Sequence, residues 1–347
     1  MKRLIYSLIV VASVLLPISV FASSDFTTNV HEEFDVNKEC TFEILNRNGN
    51  ITIENTSDNH ITIDAYIVGK ARLASESEKI CSKIQVSIEM SGNKVLAKSE
   101  IPSSLKSSDF ELNYVVTMPS YLDLNLMNKY GNVTIGELLG KTSIKVSYGT
   151  LKIDRLDDQT NSFPVIDLAY SNGSSIGEMS VGGINLAYSD ISIYKGKALA
   201  VSSKYSNYTI DGVMSIAVES SYDNVNVKNV EKADLSSRYS RIDVGKVVTL
   251  AHLELSYGSL TVGSLAPDFS DIDISTRYAD VHLGVSGVPS YSVDLFSKYG
   301  DIDCPKLNNS HFESVTTSQS MKGEFGKPAD SKKIKIHTQY GKITVKE

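Results

Sequence analysis

The chain has 347 residues, with 34 Lys and Arg against 41 Asp and Glu, giving a formal charge of −7 and an isoelectric point near 5.5. Charged residues at 22%, hydrophobic residues at 41% and a mean hydropathy of −0.10 describe a folded, water-soluble chain, neither disordered nor polytopic. The acidic balance offers nucleic acid no basic footprint. Three Cys and six His, with no CxxC or HExxH spacing, give zinc and thioredoxin-type chemistry no motif.

The first element is a leader. Residues 1–22 combine Lys2 and Arg3, an apolar run, Pro17 and a small-residue site ending at Ala22, the pattern of a secretory signal peptide. No Cys comes after the run to take a lipid. Cleavage takes the charge from −7 to −9, leaves no transmembrane segment and sends the protein to the periplasm or outside the cell.

Residues 23–120 keep strand character without a fixed period and read as a small mixed α/β cap on the rest of the chain. Asn46 to Ile53 resembles a degenerate first coil, with Asn48 where later coils carry Tyr. Ser75-Glu76-Ser77-Glu78 reads as a capping box opening a short helix through Cys81. A hairpin about Ser91-Gly92-Asn93 and a strand from Phe110 to Met118 complete the segment. Cys40 and Cys81 both lie here, and in an exported chain a bridge between them is an open possibility.

From residue 121 to 347 the chain is a repeat. Tyr130, Tyr148, Tyr170, Tyr188, Tyr205, Tyr222, Tyr239, Tyr257, Tyr278, Tyr299 and Tyr340 recur at about 19-residue steps, with Gln319 read as standing in the one long gap. Apolar residues alternate on both sides of each Tyr, as in Leu124, Leu126, Val133 and Ile135, which describes two short strands joined by a tight turn. Gly or Ser and then Asn or Asp come after the Tyr and suit that turn. The pattern predicts an all-β fold, a parallel β-solenoid of about twelve two-stranded coils, right-handed by the crossover rule, about 55 Å long at strand spacing.

Strand alternation places each Tyr in phase with Leu and Val, so the eleven rings are expected as a structural ladder at the core. The same alternation puts Lys129, Lys204, Arg238, Arg277 and Lys298, each directly before its Tyr, on the face away from the ring. They form a basic column available to an acidic glycan or envelope partner. Cys304 is expected inside as a core thiol.

At Asn128-Lys129-Tyr130-Gly131-Asn132-Val133 and Ser297-Lys298-Tyr299-Gly300-Asp301-Ile302 the chain resembles an adhesin-like family of exported bacterial β-solenoid proteins, of head-GIN style and common in Bacteroidetes. The resemblance runs from Phe42 to the C-terminus. It implies export, a parallel solenoid and a binding role, and it carries no catalytic residue across.

No catalytic group, cofactor or metal site is expected. The alternative class is a carbohydrate-active β-helix enzyme, a polysaccharide lyase or hydrolase, for which Asp243, Asp271, Asp273, Asp301 and Asp303 are the acid/base or calcium candidates. The leading expectation is a non-enzymatic binding or scaffold protein of the bacterial envelope with a protein or glycan partner. Ile343 and Val345, read as an uncovered last coil, offer an edge for an end-to-end homodimer.

Overall fold

A computed structural model describes residues 25–327 and 332–347, so the leader lies outside the described residues. The chain folds as a long, mostly parallel β-solenoid. Each coil gives one strand before its Tyr and one after it, and the two sets stack as separate faces of the rod. Asp123–Lys129 pairs in parallel with Thr142–Ser147, and Val133–Leu138 with Leu151–Leu156. The same step repeats upward, Ile153 to Ile176, Ile176 to Ile193, Ile193 to Ile210 and Ile210 to Val227.

Those registers put like residues over like. This Ile and Val column is buried, and each such side chain removed from water contributes about 1.5–3 kcal/mol. Backbone groups are satisfied from the coil above and below, so the interior needs side chains only for shape.

The turns use two chemistries. In the Gly coils, a Cβ at Gly149 would collide with the Gly131 carbonyl, so glycine there is a spacing requirement. In the middle coils Ser replaces it and is buried: Ser171 N–H donates to Ser189 Oγ at 3.1 Å, and Ser189 N–H to Ser206 Oγ at 3.2 Å. Asp223 takes the same place one coil on, accepting from Ser206 N–H at 2.7 Å and from Ser203 Oγ at 2.7 Å. Burial raises its pKa, partly offset by these donors.

Both ends depart from chain order. Thr41–Arg47 and Asn48 do form a first coil, and Asn48 has the left-handed φ of 68° used at the Tyr turns. That coil is sandwiched: Lys94–Glu100 and Phe110–Pro119 pair on its outer side, the Tyr130 coil on its inner side. His60–Gly69, Phe26–Asp35 and Gln85–Ser91 then cover the end with antiparallel pairing. The helix is Ala74–Cys81 with Leu73 at its N-cap and no side-chain cap, which corrects the expected capping box: Ser75 already lies inside the first turn, and Ser77 is buried with its Oγ accepting from Ala71 N–H at 2.9 Å.

At the other end the last coil in sequence is not the last in space. Lys333–Gln339 lies between Asp271–Gly284 and Tyr291–Lys298, and Ile343–Lys346 between the strands after Tyr278 and Tyr299. Ile343 is therefore paired on both sides, with Val281 and Ile302, and Val345 pairs with Leu283; both are buried, which corrects the expectation of an exposed last coil and removes its basis for an end-to-end homodimer. The hairpin of Asn308–Val315 and Ser318–Phe325 forms that end instead. Gln319 sits in this hairpin, opposite Ser297, and is no Tyr equivalent. Its Oε1 accepts from Ile302 N–H at 2.8 Å.

Cys40 and Cys81 are free, buried thiols, so the open possibility of a bridge is closed in this structure. Cys40 Sγ lies by Asn37, and Cys81 Sγ donates to the carbonyls of Phe26 and Ile67, which holds them in separate surroundings. Cys304 is half-buried against the core, and burial pushes its thiol up to about 11.

Candidate functional site: an open trough beside the tyrosine ladder

Every repeat Tyr is held at φ between 51° and 61°. Alternation assumes extended backbone, and one left-handed residue swings its Cβ off the inward phase. The rings accordingly stand outside the core, each 38 to 48% exposed, which corrects their expected burial. They stack in the order Tyr130, 148, 170, 188, 205, 222, 239, 257, 278, 340, 299, with centroids 4.6 to 5.0 Å apart.

Magnitudes decide what the ladder does. A left-handed non-glycine residue costs about 1–2 kcal/mol, and one stacked pair per residue returns about 0.5–1.5 kcal/mol. The two nearly cancel, so the ladder aligns successive coils more than it adds net stability. Stacking also covers the ring faces. What the ladder offers solvent is a ridge of edges and hydroxyls.

The basic residues stay on their outward strand positions, and the displaced rings come to lie against them. Lys129 Nζ lies 4.8 Å from the Tyr130 centroid, Lys204 Nζ 5.4 Å from Tyr205, Arg277 Cζ 5.5 Å from Tyr278 and Lys298 Nζ 5.3 Å from Tyr299. These cations lean on the rings that alternation had set on the opposite face.

Along the outer face of the strands before Tyr, the ridge borders an open trough of about 750 Å³. It runs across six coils, from Lys145 to Arg238, or about 24 Å at strand spacing. Lys145, Lys204 and Arg238, the last also a member of the basic column, face Asp167 and Glu219 among small Ser and Ala side chains. Asn185 Nδ2 donates to Asp167 Oδ1 at 2.7 Å. Shallower stretches continue through Arg277 to Lys298 on the same face.

A second lane of about 420 Å³ shares Asn185, Ser202, Glu219 and Ser236 with the first. Its floor is the register column Gly183, Ala200, Ala217, and Phe163 closes its head. Sequence reading missed Phe163. The available signal was the long interval from Tyr148 to Tyr170, whose extra residues hold a lone aromatic before Pro164.

The acid/base candidates are not brought together. Asp243 pairs with Arg241 at 2.7 Å, Asp273 with Lys335 at 3.1 Å and Asp303 with Lys342 at 3.8 Å, with Asp273 on a strand before its Tyr and Asp243 and Asp303 on strands after theirs. Among the described residues, no group of three or more His, Cys, Asp and Glu is placed to hold a metal ion. No described helix is long and apolar enough to cross a membrane.

No protein-family profile matches the chain, and no curated protein matches it. Among solved structures it is similar to a putative cell adhesion protein from Clostridium sporogenes, at 11% identity and a TM-score of 0.19 over 92% of this chain and 99% of that one. A putative adhesin from Bacteroides fragilis matches at 15% identity and a TM-score of 0.22, over 92% and 96% of the two chains. At those scores neither carries any part of the functional argument.

Proposed function

We propose that this protein is an exported, non-enzymatic binding and scaffold protein of the bacterial envelope, and that it holds an extended acidic glycan along the trough. The observation that carries the reading is the trough itself: a straight, open channel of about 24 Å with Lys145, Lys204 and Arg238 along it. A pocket for a small metabolite encloses its ligand, whereas an open channel parallel to the rod suits a polymer. The ridge beside it offers phenolic hydroxyls at coil spacing, with cations leaning over them. Backbone pairing from coil to coil makes the surface rigid, so little ordering cost falls on binding.

The lyase or hydrolase alternative has less support. Glu219 and Asp234 are the carboxylates of the second lane, and both stand on solvent-exposed strand positions. A general acid working at neutral pH needs burial or a neighbouring charge to keep its proton.

The test is direct. Mature protein is titrated with polygalacturonate and alginate, and the double variant Lys204→Glu, Arg238→Glu is compared with wild type. Saturable binding that the double variant loses supports the reading. Release of unsaturated or new reducing ends from either polymer contradicts its non-enzymatic half, and equal binding by the variant contradicts the trough as the site.

A further inference from the structure

The ladder rings from Tyr148 to Tyr340 in stacking order cannot act as a platform for a sugar, because both faces of each are covered by its neighbours. Phe163 is different. It is 55% exposed and, among the described residues, stacks on no other ring. It stands at the head of the second lane, where a Cβ built on Gly183 would come within 3.0 Å of its Cε1 and at least 3.8 Å of the other ring atoms. The ring meets the sheet at Gly183 through one corner. Gly183 is the residue that allows it to sit so low.

The segment carrying Phe163 is fixed from both sides. Arg155 Nη2 donates to Asp157 Oδ2 at 2.7 Å, and Asp158 accepts from Thr160 N–H at 2.7 Å and from Ser162 Oγ at 2.5 Å. Gly183 N–H donates to the Pro164 carbonyl at 2.8 Å. The ring therefore waits in place.

Beyond the ring the floor is flat. Gly183, Ala200 and Ala217 present nothing past Cβ, and the column ends at Asp234, about 14 Å from Gly183 by strand spacing. Asn185, Ser202, Glu219 and Ser236 run beside it, an alternation of amide, hydroxyl and carboxylate. An extended peptide would need unpaired backbone to bind, and this is the face of a sheet whose backbone is already paired. A ring with one apolar face and a rim of hydroxyls fits both surfaces at once.

We propose that Phe163 is the aromatic platform of a saccharide subsite. A pyranose ring stacks on Phe163, its hydroxyls meet Asn185, Ser202 and Glu219, and the glycan continues over the Ala200 and Ala217 floor. The inference rests on the glycan-binding reading and adds where a sugar unit is gripped and by which residue.

The experiment uses the mature chain and polygalacturonate as the probe, with laminarin as a neutral comparison, monitored by calorimetry. Phe163→Ala is expected to bind polygalacturonate about three- to ten-fold more weakly with an unchanged melting temperature, and Phe163→Tyr to bind like wild type. Gly183→Val, which lifts the ring off the sheet, is expected to weaken binding as Phe163→Ala does. If Phe163→Ala binds normally while Lys204→Glu, Arg238→Glu fails, the subsite is wrong and the trough stands. If every variant binds normally, the trough is wrong as well, and if wild type binds neither polysaccharide, the glycan ligand and the subsite fall together.

Discussion

Tyr278 and Tyr340 stack with centroids 4.6 Å apart and planes within 1°, although a whole coil and a hairpin separate them in the chain. Tyr340 also stacks on Tyr299 at 4.8 Å, so the last coil is wedged between two that precede it in sequence. Its insertion seals the interior at that level: Ile343 is fully buried, and its N–H donates to the Asp301 carbonyl at 2.9 Å.

The wedged coil should behave as core. Ile343→Ala is expected to cost about 2–5 kcal/mol, the range for emptying a buried aliphatic site. Amides of Ile343–Lys346 are expected to exchange as slowly as those of Asp271–Gly284. Rapid exchange there, in a chain otherwise protected, would contradict the insertion.

The ladder makes a prediction of sign. Tyr222 stacks on Tyr205 at 4.9 Å and Tyr239 at 4.8 Å, with φ of 60°. Tyr222→Ala keeps the unfavourable backbone and loses both stacks, an expected loss of about 1–3 kcal/mol. Tyr222→Gly also loses the stacks but relieves the backbone, so it is expected to be the more stable of the two. Denaturant midpoints of the two variants decide the matter, and an Ala variant as stable as wild type would mean that the stacking has no energetic role.

Asp223 gives a pH signature. Its folded pKa lies above the ordinary 3.8, chiefly through burial, so the folded state holds the proton more tightly than the unfolded chain. Stability must then fall as pH rises from about 3.8 through the folded pKa, and the loss persists above it. Asp223→Ser, which restores the residue of the neighbouring coils, is expected to gain stability over wild type at about pH 7 and much less at about pH 3.5. Parallel urea melts at the two pH values read this out; an equal difference at both would contradict it.

The two turn chemistries should respond unequally. Gly149→Ala drives a methyl into the Gly131 carbonyl and is expected to cost about 1–3 kcal/mol or more by overpacking. Ser189→Gly loses the Oγ that accepts from Ser171 N–H, worth about 1 kcal/mol. Thermal melts that rank them the other way would refute the spacing argument.

The strands and the repeat were legible because alternation and a recurring Tyr are properties of sequence alone. Leu124, Leu126, Val133 and Ile135 are buried as the pattern requires. The Tyr positions were misplaced by that same rule, since one left-handed residue breaks a period of two and brings each ring to the outward side, where Lys129 and Lys204 already stand. Stacking order was not legible either: nothing local in Ile343 to Lys346 says which coil it will touch. Phe163 lay outside the repeat that organises the rest of the chain.

The central claim is that the outer face of the strands before Tyr binds an acidic glycan. Amide hydrogen exchange of the mature chain, with and without saturating polygalacturonate, tests it most directly. Slowed exchange confined to residues 145–147, 163–169, 183–187, 200–204, 217–221 and 234–238 is the predicted result. Protection confined to the opposite face, around Thr209, Asn226 and Asp243, or a footprint unchanged by the polymer, would contradict it.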